Sequence, residues 1–304
     1  MSAKFRLFVV FISICFSASF ARANEGANSE AEKNRILRDL EYVPGGHERQ
    51  KLDLYLPVKG EDSAPLPLVV WVHGGAWLGG NKNNCPPAQL LKYGFAAASI
   101  NYRLSQHAIF PAQIEDCKAA IRFLRANAGR YNIDPNHIGV WGASAGGHLV
   151  ALLGTTGDVN DFDKGPNPQF SSNVQAVCDF FGPTDFTKMS DFESIMNHDA
   201  PEAPEAKLIG GPVQDNKEAC KRANPITYIS KDDPPFLICH GDKDNLVPHN
   251  QSVLLDEALK KAGVDVTFHT VEGGGHGFRN PEVHKLVFEF FTKHLKEAGK
   301  KSSK

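Results

Sequence analysis

The stretch that decides the fold is "VWGASAGGHL", residues 140 to 149. An apolar run leads into Gly142, Ala143, Ser144, Ala145 and Gly146, and an apolar, helix-compatible run follows. A serine between two small residues and two glycines is either a tight packing turn or a nucleophile that needs room. The flanks decide between them. "HIGVWG", residues 137 to 142, reads as a buried strand, and "AGGHLVALLG", residues 145 to 154, as a helix ending at Gly154. A serine at a sharp strand-to-helix turn has a strained backbone and an exposed hydroxyl. Glycines at 142 and 146 keep side chains out of the neighbouring strand and helix. The helix that follows directs its N-terminal N–H groups toward the serine.

The rest of the chain has the same rhythm. "KLDLYLP" (51 to 57) alternates as a half-buried strand does. "LPLVVWVHGG" (66 to 75), "GFAAASINYRL" (94 to 104), "NVQAVCDFFG" (173 to 182) and "PPFLICHG" (234 to 241) are near-continuous apolar runs, as in strands covered on both faces. "VDVTFHTVEG" (264 to 273) reads as a further strand. Amphipathic helices are expected over 111 to 128, starting at Pro111, over 248 to 263, and over 281 to 299. Alternating strands and helices predict an α/β fold with a mostly parallel sheet and helices on both faces. The one interruption, about residues 183 to 232, carries prolines, charges and short helical pieces. It reads as a small cap over the C-terminal edge of the sheet, within a single domain from 24 to 304.

A serine hydroxyl needs a base. Of the twelve histidines, His276 in "VEGGGHGF" follows the last strand and precedes the last helix, on the edge that carries Ser144. His148, on the helix after the serine, faces away from the turn and reads as packing. The base needs a carboxylate to orient it. "CHGDKDNLVP", residues 239 to 248, offers Asp242 and Asp244, rivals by position alone. "WVHGGAW", residues 71 to 77, follows another buried strand, and its small residues let a carbonyl oxygen approach backbone N–H groups.

Composition narrows the alternatives. The 304 residues are 41% hydrophobic and 22% charged, with a net charge of -2, so no basic field points to nucleic acid. Lys4 and Arg6, the uncharged run Leu7 to Phe20, and Ala21 and Ala23 have the layout of a secretory signal peptide over 1 to 23. That predicts export, periplasmic or extracellular, with no membrane attachment of the mature chain. Residues 24 to 35 read as a solvated leader or a first helix. Outside Cys15 there are five cysteines, Cys85, Cys117, Cys178, Cys220 and Cys239, so at least one has no intramolecular partner. No CxxC spacing occurs, and "GDVNDFDKG", with Asp158, Asn160, Asp161 and Asp163, misses the calcium-loop pattern and reads as a solvated loop. Neither a metal nor a cofactor is expected.

Together, HGGxW, G-x-S-A-G-G-H and HGDxDxxVP, in this order and followed by the histidine loop, resemble the α/β-hydrolase superfamily. The likeness is to secreted esterases of the hormone-sensitive-lipase-like and bacterial feruloyl-esterase-like (BD-FAE-like) kind, over about residues 45 to 298. The resemblance implies a Ser144, Asp244, His276 triad, with the acid on the second aspartate of HGDxDxxVP. It implies an oxyanion hole from Gly75, Ala76 and Ala145, with His73 fixing the loop by hydrogen bonding. Ala76 stands where the HGGG-type loop has a third glycine. The implied activity is hydrolysis of short-chain or small aromatic esters through an acyl-enzyme, or of carbohydrate-linked acetyl or feruloyl esters. An exported serine peptidase would carry a propeller, for which the stretch before the first strand has no room. An arylformamidase shares HGGxW but is normally cytosolic. A non-catalytic module on this fold would normally have lost a triad member.

Overall fold

The computed structural model describes residues 34–57, 64–278 and 280–297. The expected signal peptide, residues 1 to 23, lies outside them, as do residues 24 to 33 of the polar stretch. Eight strands form one sheet among the described residues: β1 (Asn34–Glu41), β2 (Lys51–Pro57), β3 (Leu66–Val72), β4 (Ala96–Ile100), β5 (Ile133–Ala143), β6 (Ala176–Phe180), β7 (Phe236–Gly241) and β8 (Val266–Val271). Their order across the sheet is β1-β2-β4-β3-β5-β6-β7-β8. β2 runs antiparallel to β4, and all pairings from β4 to β8 are parallel. The fold is α/β, as the alternation predicts. Asn34 and Arg35 start an edge strand, not a leader or helix.

Side chains alternate across the central strands and feed two cores. Val70 and Val72 of β3 and Val140 of β5 point to the face covered by α1 (Ala112–Ala126) and α2 (Ala145–Thr155). Val69 and Trp71 of β3 and Trp141 of β5 point to the other, where Val287, Phe290 and Phe291 of the C-terminal helix pack. Covering both faces explains the continuous apolar runs. β2 departs from its expected half-burial: residues 52 to 56 are all buried, including Asp53 at 0% exposure. The polar alternation there is satisfied by pairing. Asp53 Oδ1 accepts from Lys82 Nζ at 2.6 Å and from the Asp39 N–H at 2.8 Å, and Oδ2 lies 3.1 Å from Arg38 Nη1.

In the "GDVNDFDKG" loop Asp158, Asn160 and Asp161 are exposed, as expected of a solvated loop, but Asp163 is pinned. Asp163 pairs with the buried Lys118 at 3.0 Å and the buried Arg122 at 2.6 Å, both on α1. The five cysteines outside the N-terminal segment carry free thiols, and all but Cys85 are buried. Between β6 and β7 the chain forms short helical pieces, including α3 (Pro204–Ile209) and α4 (Lys217–Ala223). It then continues through α5 (Asn250–Ala262) and α6 (Pro281–Phe291), whose end passes into a π-helical stretch, Thr292–Glu297.

Gly154 does not end α2, which runs on to Thr155. Its role is packing: a Cβ there would lie 2.6 Å from the Phe236 ring and 2.7 Å from Val177 Cγ2. This sets two effects against each other. Alanine gains about 1 kcal/mol of helix propensity over glycine, whereas forcing a methyl into a filled core costs about 1–3 kcal/mol. We expect overpacking to win, so Gly154→Ala is less stable in urea denaturation; a stabilised variant would contradict this packing.

Candidate active site

The turn after β5 holds Ser144 at φ 56° and ψ -124°, a region costing a non-glycine residue about 1–3 kcal/mol. The Ser144 N–H donates to the Phe180 carbonyl of β6 at 2.8 Å, which ties the strained residue to the neighbouring strand. Both glycines are required. A Cβ on Gly146 would lie 2.1 Å from the Val72 carbonyl oxygen, and one on Gly142 would lie 2.1 Å from that of Gly146.

Three loops at the C-terminal ends of β5, β7 and β8 bring the expected residues together. His276 Nε2 lies 3.1 Å from Ser144 Oγ, and Nδ1 lies 2.8 Å from Asp244 Oδ2. A carboxylate accepts, so Nδ1 carries the hydrogen and the Nε2 lone pair faces the serine hydroxyl. Asp244 is buried, and its Oδ1 accepts the N–H groups of Leu246 at 2.9 Å and Val247 at 3.0 Å. Burial works to raise its pKa, but hydrogen bonds from His240 and His276 and the attraction of His276 hold it well below the usual carboxylate range. Asp242 is exposed and accepts the Gly273 N–H at 2.6 Å, so it tethers the histidine loop without meeting the imidazole.

The HGGxW loop lies against the serine. A Cβ on Gly74 would stand 3.3 Å from Ser144 Cβ. Gly75, Ala76 and Trp77 all have positive φ, at 112°, 56° and 56°. Among the described residues, no N–H of Gly75, Ala76 or Ala145 donates to a protein acceptor. Ala76, in place of a third glycine, takes a positive φ of 56° here.

His73 holds this loop. Its Nδ1–H donates to the Gly74 carbonyl at 2.7 Å, so Nε2 accepts from Arg49 Nη2 at 3.2 Å. Burial pulls its pKa down to about 4, so it stays uncharged near neutral pH. Its ring stacks on Tyr102, 4.4 Å away at 16°. Arg49 also donates to Gly80 O at 2.9 Å and Tyr102 O at 2.8 Å. His148 packs as expected: buried, with Nε2 2.7 Å from the Ala223 carbonyl of α4 and its ring against Trp77 and Phe186.

Two residues here had no local signal. Arg49 reaches the HGGxW loop from the turn before β2. His240 is a second histidine on the acid, with Nε2 3.2 Å from Asp244 Oδ2 and 2.9 Å from Val247 O, and Nδ1 2.7 Å from Ser252 Oγ. It stands in the HGDxDxxVP motif, where the two aspartates draw attention first. Among the described residues no group of three or more His, Cys, Asp or Glu side chains is arranged to hold a metal ion.

The sheet order, the serine turn and the three loops define an α/β-hydrolase. The BD-FAE family model matches residues 52–259, and the chain belongs to that family. The dienelactone hydrolase family model also matches residues 219–301. Esterase LipQ of Mycobacterium tuberculosis is 33% identical over 276 residues, covering 83% of this chain and 64% of LipQ. The chain thus spans less than two thirds of that relative's length. A solved structure titled a truncated form of carbohydrate esterase from gut microbiota is 40% identical, with a TM-score of 0.79, covering 86% of this chain and 96% of that one. A structure titled bifunctional GH43-CE from Bacteroides eggerthii is 41% identical, with a TM-score of 0.78, covering 85% of this chain and 38% of that one.

Two substitutions separate the aspartates. Asp244→Asn removes the charge facing the His276 Nδ1–H, and we expect esterase turnover to fall by about 10³–10⁴. Asp242→Asn keeps an oxygen for the Gly273 N–H, so turnover should stay within about threefold; reversed results would move the acid to Asp242. For Arg49→Ala, which frees His73 without deleting an N–H donor, kcat should fall about tenfold, less than the 10²–10³ for losing a donor outright. Unchanged steady-state kinetics would remove Arg49 from the loop's support.

Proposed function

We propose that this chain is an exported serine carboxylesterase that hydrolyses short-chain or small aromatic esters through an acyl-enzyme on Ser144. The observation that carries the reading is the relay from Ser144 to His276 to Asp244, at 3.1 and 2.8 Å, beside three N–H groups with no protein acceptor among the described residues. Ser144 Oγ attacks the ester carbonyl as His276 Nε2 takes its proton. The developing oxyanion is held by the N–H groups of Gly75, Ala76 and Ala145. The alcohol leaves with the proton from His276. Water then attacks the acyl-enzyme by the same route and releases the acid.

The alcohol portion we assign is a carbohydrate, carrying acetyl or feruloyl groups. Support comes from the two similar structures, at 40% and 41% identity, titled a carbohydrate esterase and a GH43-CE protein. The cap supports small, dissolved substrates. Phe192 and Ile195 are exposed, but they stand among Asp191, Glu193 and Asn197 with no wide apolar face to meet lipid.

A panel of acetylated xylo-oligosaccharides, feruloyl esters, simple short-chain esters and long-chain triglycerides tests this reading. We expect saturable turnover of the first three, highest on carbohydrate esters, and no rate jump when a substrate forms droplets. Interfacial activation on triglycerides would overturn it. For export, mass spectrometry of the secreted form should find a chain starting at Asn24; retention of Met1 on exported protein would contradict processing.

A further inference from the structure

The connection between β6 and β7 contains a second histidine–carboxylate pair that the reaction does not use. His198 is 1% exposed and Glu205, in α3, is 3% exposed. His198 Nδ1 lies 3.1 Å from Glu205 Oε1. Its Nε2 lies 3.0 Å from the Leu246 carbonyl oxygen and 3.1 Å from Ser194 Oγ. A carbonyl only accepts, so Nε2 carries a hydrogen. His198 thus faces Glu205 through Nδ1 and directs its outer N–H at the backbone of the acid loop.

Other cap groups grip the same strip. The Ile195 N–H donates to the Asn245 carbonyl at 2.9 Å, and Ser194 Oγ lies 3.1 Å from that carbonyl and 3.3 Å from the Leu246 carbonyl. The reverse side of the strip faces the active site, where the Leu246 N–H donates to Asp244 Oδ1 at 2.9 Å. One peptide segment thus has its carbonyls held by the cap and an N–H committed to the acid.

We infer that His198 and Glu205 are positioning residues for the hydrolysis. They fix the Asn245–Leu246 strip from behind, and thereby the direction in which Asp244 presents Oδ2 to His276. The inference rests on the assignment of Asp244 and His276 to the relay. Neither His198 nor Glu205 touches the reacting atoms. Among the described residues, the link from this strip to His276 runs through Asp244; the imidazole also meets the Ser144 hydroxyl and the ring of Phe181, 4.7 Å between centroids.

The test uses the full chain and a short-chain chromogenic ester. In His198→Ala, kcat falls about tenfold or more while KM stays within about twofold. The acidic limb of kcat/KM moves to lower pH, because a misdirected carboxylate stabilises the imidazolium less. Glu205→Ala behaves alike, whereas Glu205→Gln recovers most of the lost kcat, since its amide donates to Nδ1. Folded His198→Ala with unchanged kcat and acidic limb overturns the inference, as does Gln performing no better than Ala at 205. If His198→Ala does not fold, Ser194→Ala decides, since it removes one hydroxyl from the same grip: a severalfold loss of kcat at constant KM is expected, and wild-type kcat overturns the inference. Wild-type protein that hydrolyses the ester without fluorophosphonate labelling at Ser144 overturns the relay itself, a result distinct from any of these.

Discussion

Ser144 is held in a backbone conformation that a serine avoids, and the surrounding fold is arranged to keep it there. The Phe180 carbonyl takes its N–H, Gly142 and Gly146 leave no side chain between the turn and its neighbours, and α2 starts at the next residue. Relaxing the turn would break a hydrogen bond between adjacent strands and unseat the helix that packs across the sheet. The cost of the strain, about 1–3 kcal/mol, is small against the burial of α2, in which every residue is buried. Ser144 is therefore oriented by the core. Its precision follows from strand register, and its exposure follows from the turn.

The supporting residues form a second ring around that point. The HGGxW loop is locked by an uncharged His73 between the Gly74 carbonyl and Arg49. Asp244 is locked by two backbone N–H groups and two histidines. Each arrangement holds a buried polar group from more than one side, so each favours a single geometry before substrate arrives. Preorganisation of this kind is the largest contribution such sites make to rate.

Much of this was legible in the sequence because it is local. The serine turn, the buried strands and the histidine loop each announce themselves within about ten residues. Position alone left Asp242 and Asp244 as rivals in one loop, and the family resemblance pointed to Asp244; the three-dimensional path turns one to Gly273 and the other to His276. Arg49 and the His198–Glu205 pair were hidden because their partners lie on other elements, whereas His240, bonded to Asp244 and Val247 of its own motif, was overshadowed by the two aspartates. The alternation of "KLDLYLP" misled in a different way. Period two reports polarity, and polarity implies exposure only where nothing pairs with the polar residue. Asp53 is buried because Lys82 and Arg38 come to it. Gly154 reads as a helix stop, but the ring of Phe236 explains it as a gap that packing demands.

The central claim is that ester cleavage passes through a covalent intermediate on Ser144. Its most direct test is to mix the protein with p-nitrophenyl acetate, quench in acid within the first turnover, and digest for mass spectrometry. The account predicts one acetyl group on the peptide carrying Ser144, formed with the initial burst of p-nitrophenol and absent from Ser144→Ala. Undiminished hydrolysis by Ser144→Ala, with no acetylated peptide in the wild-type chain, would contradict it.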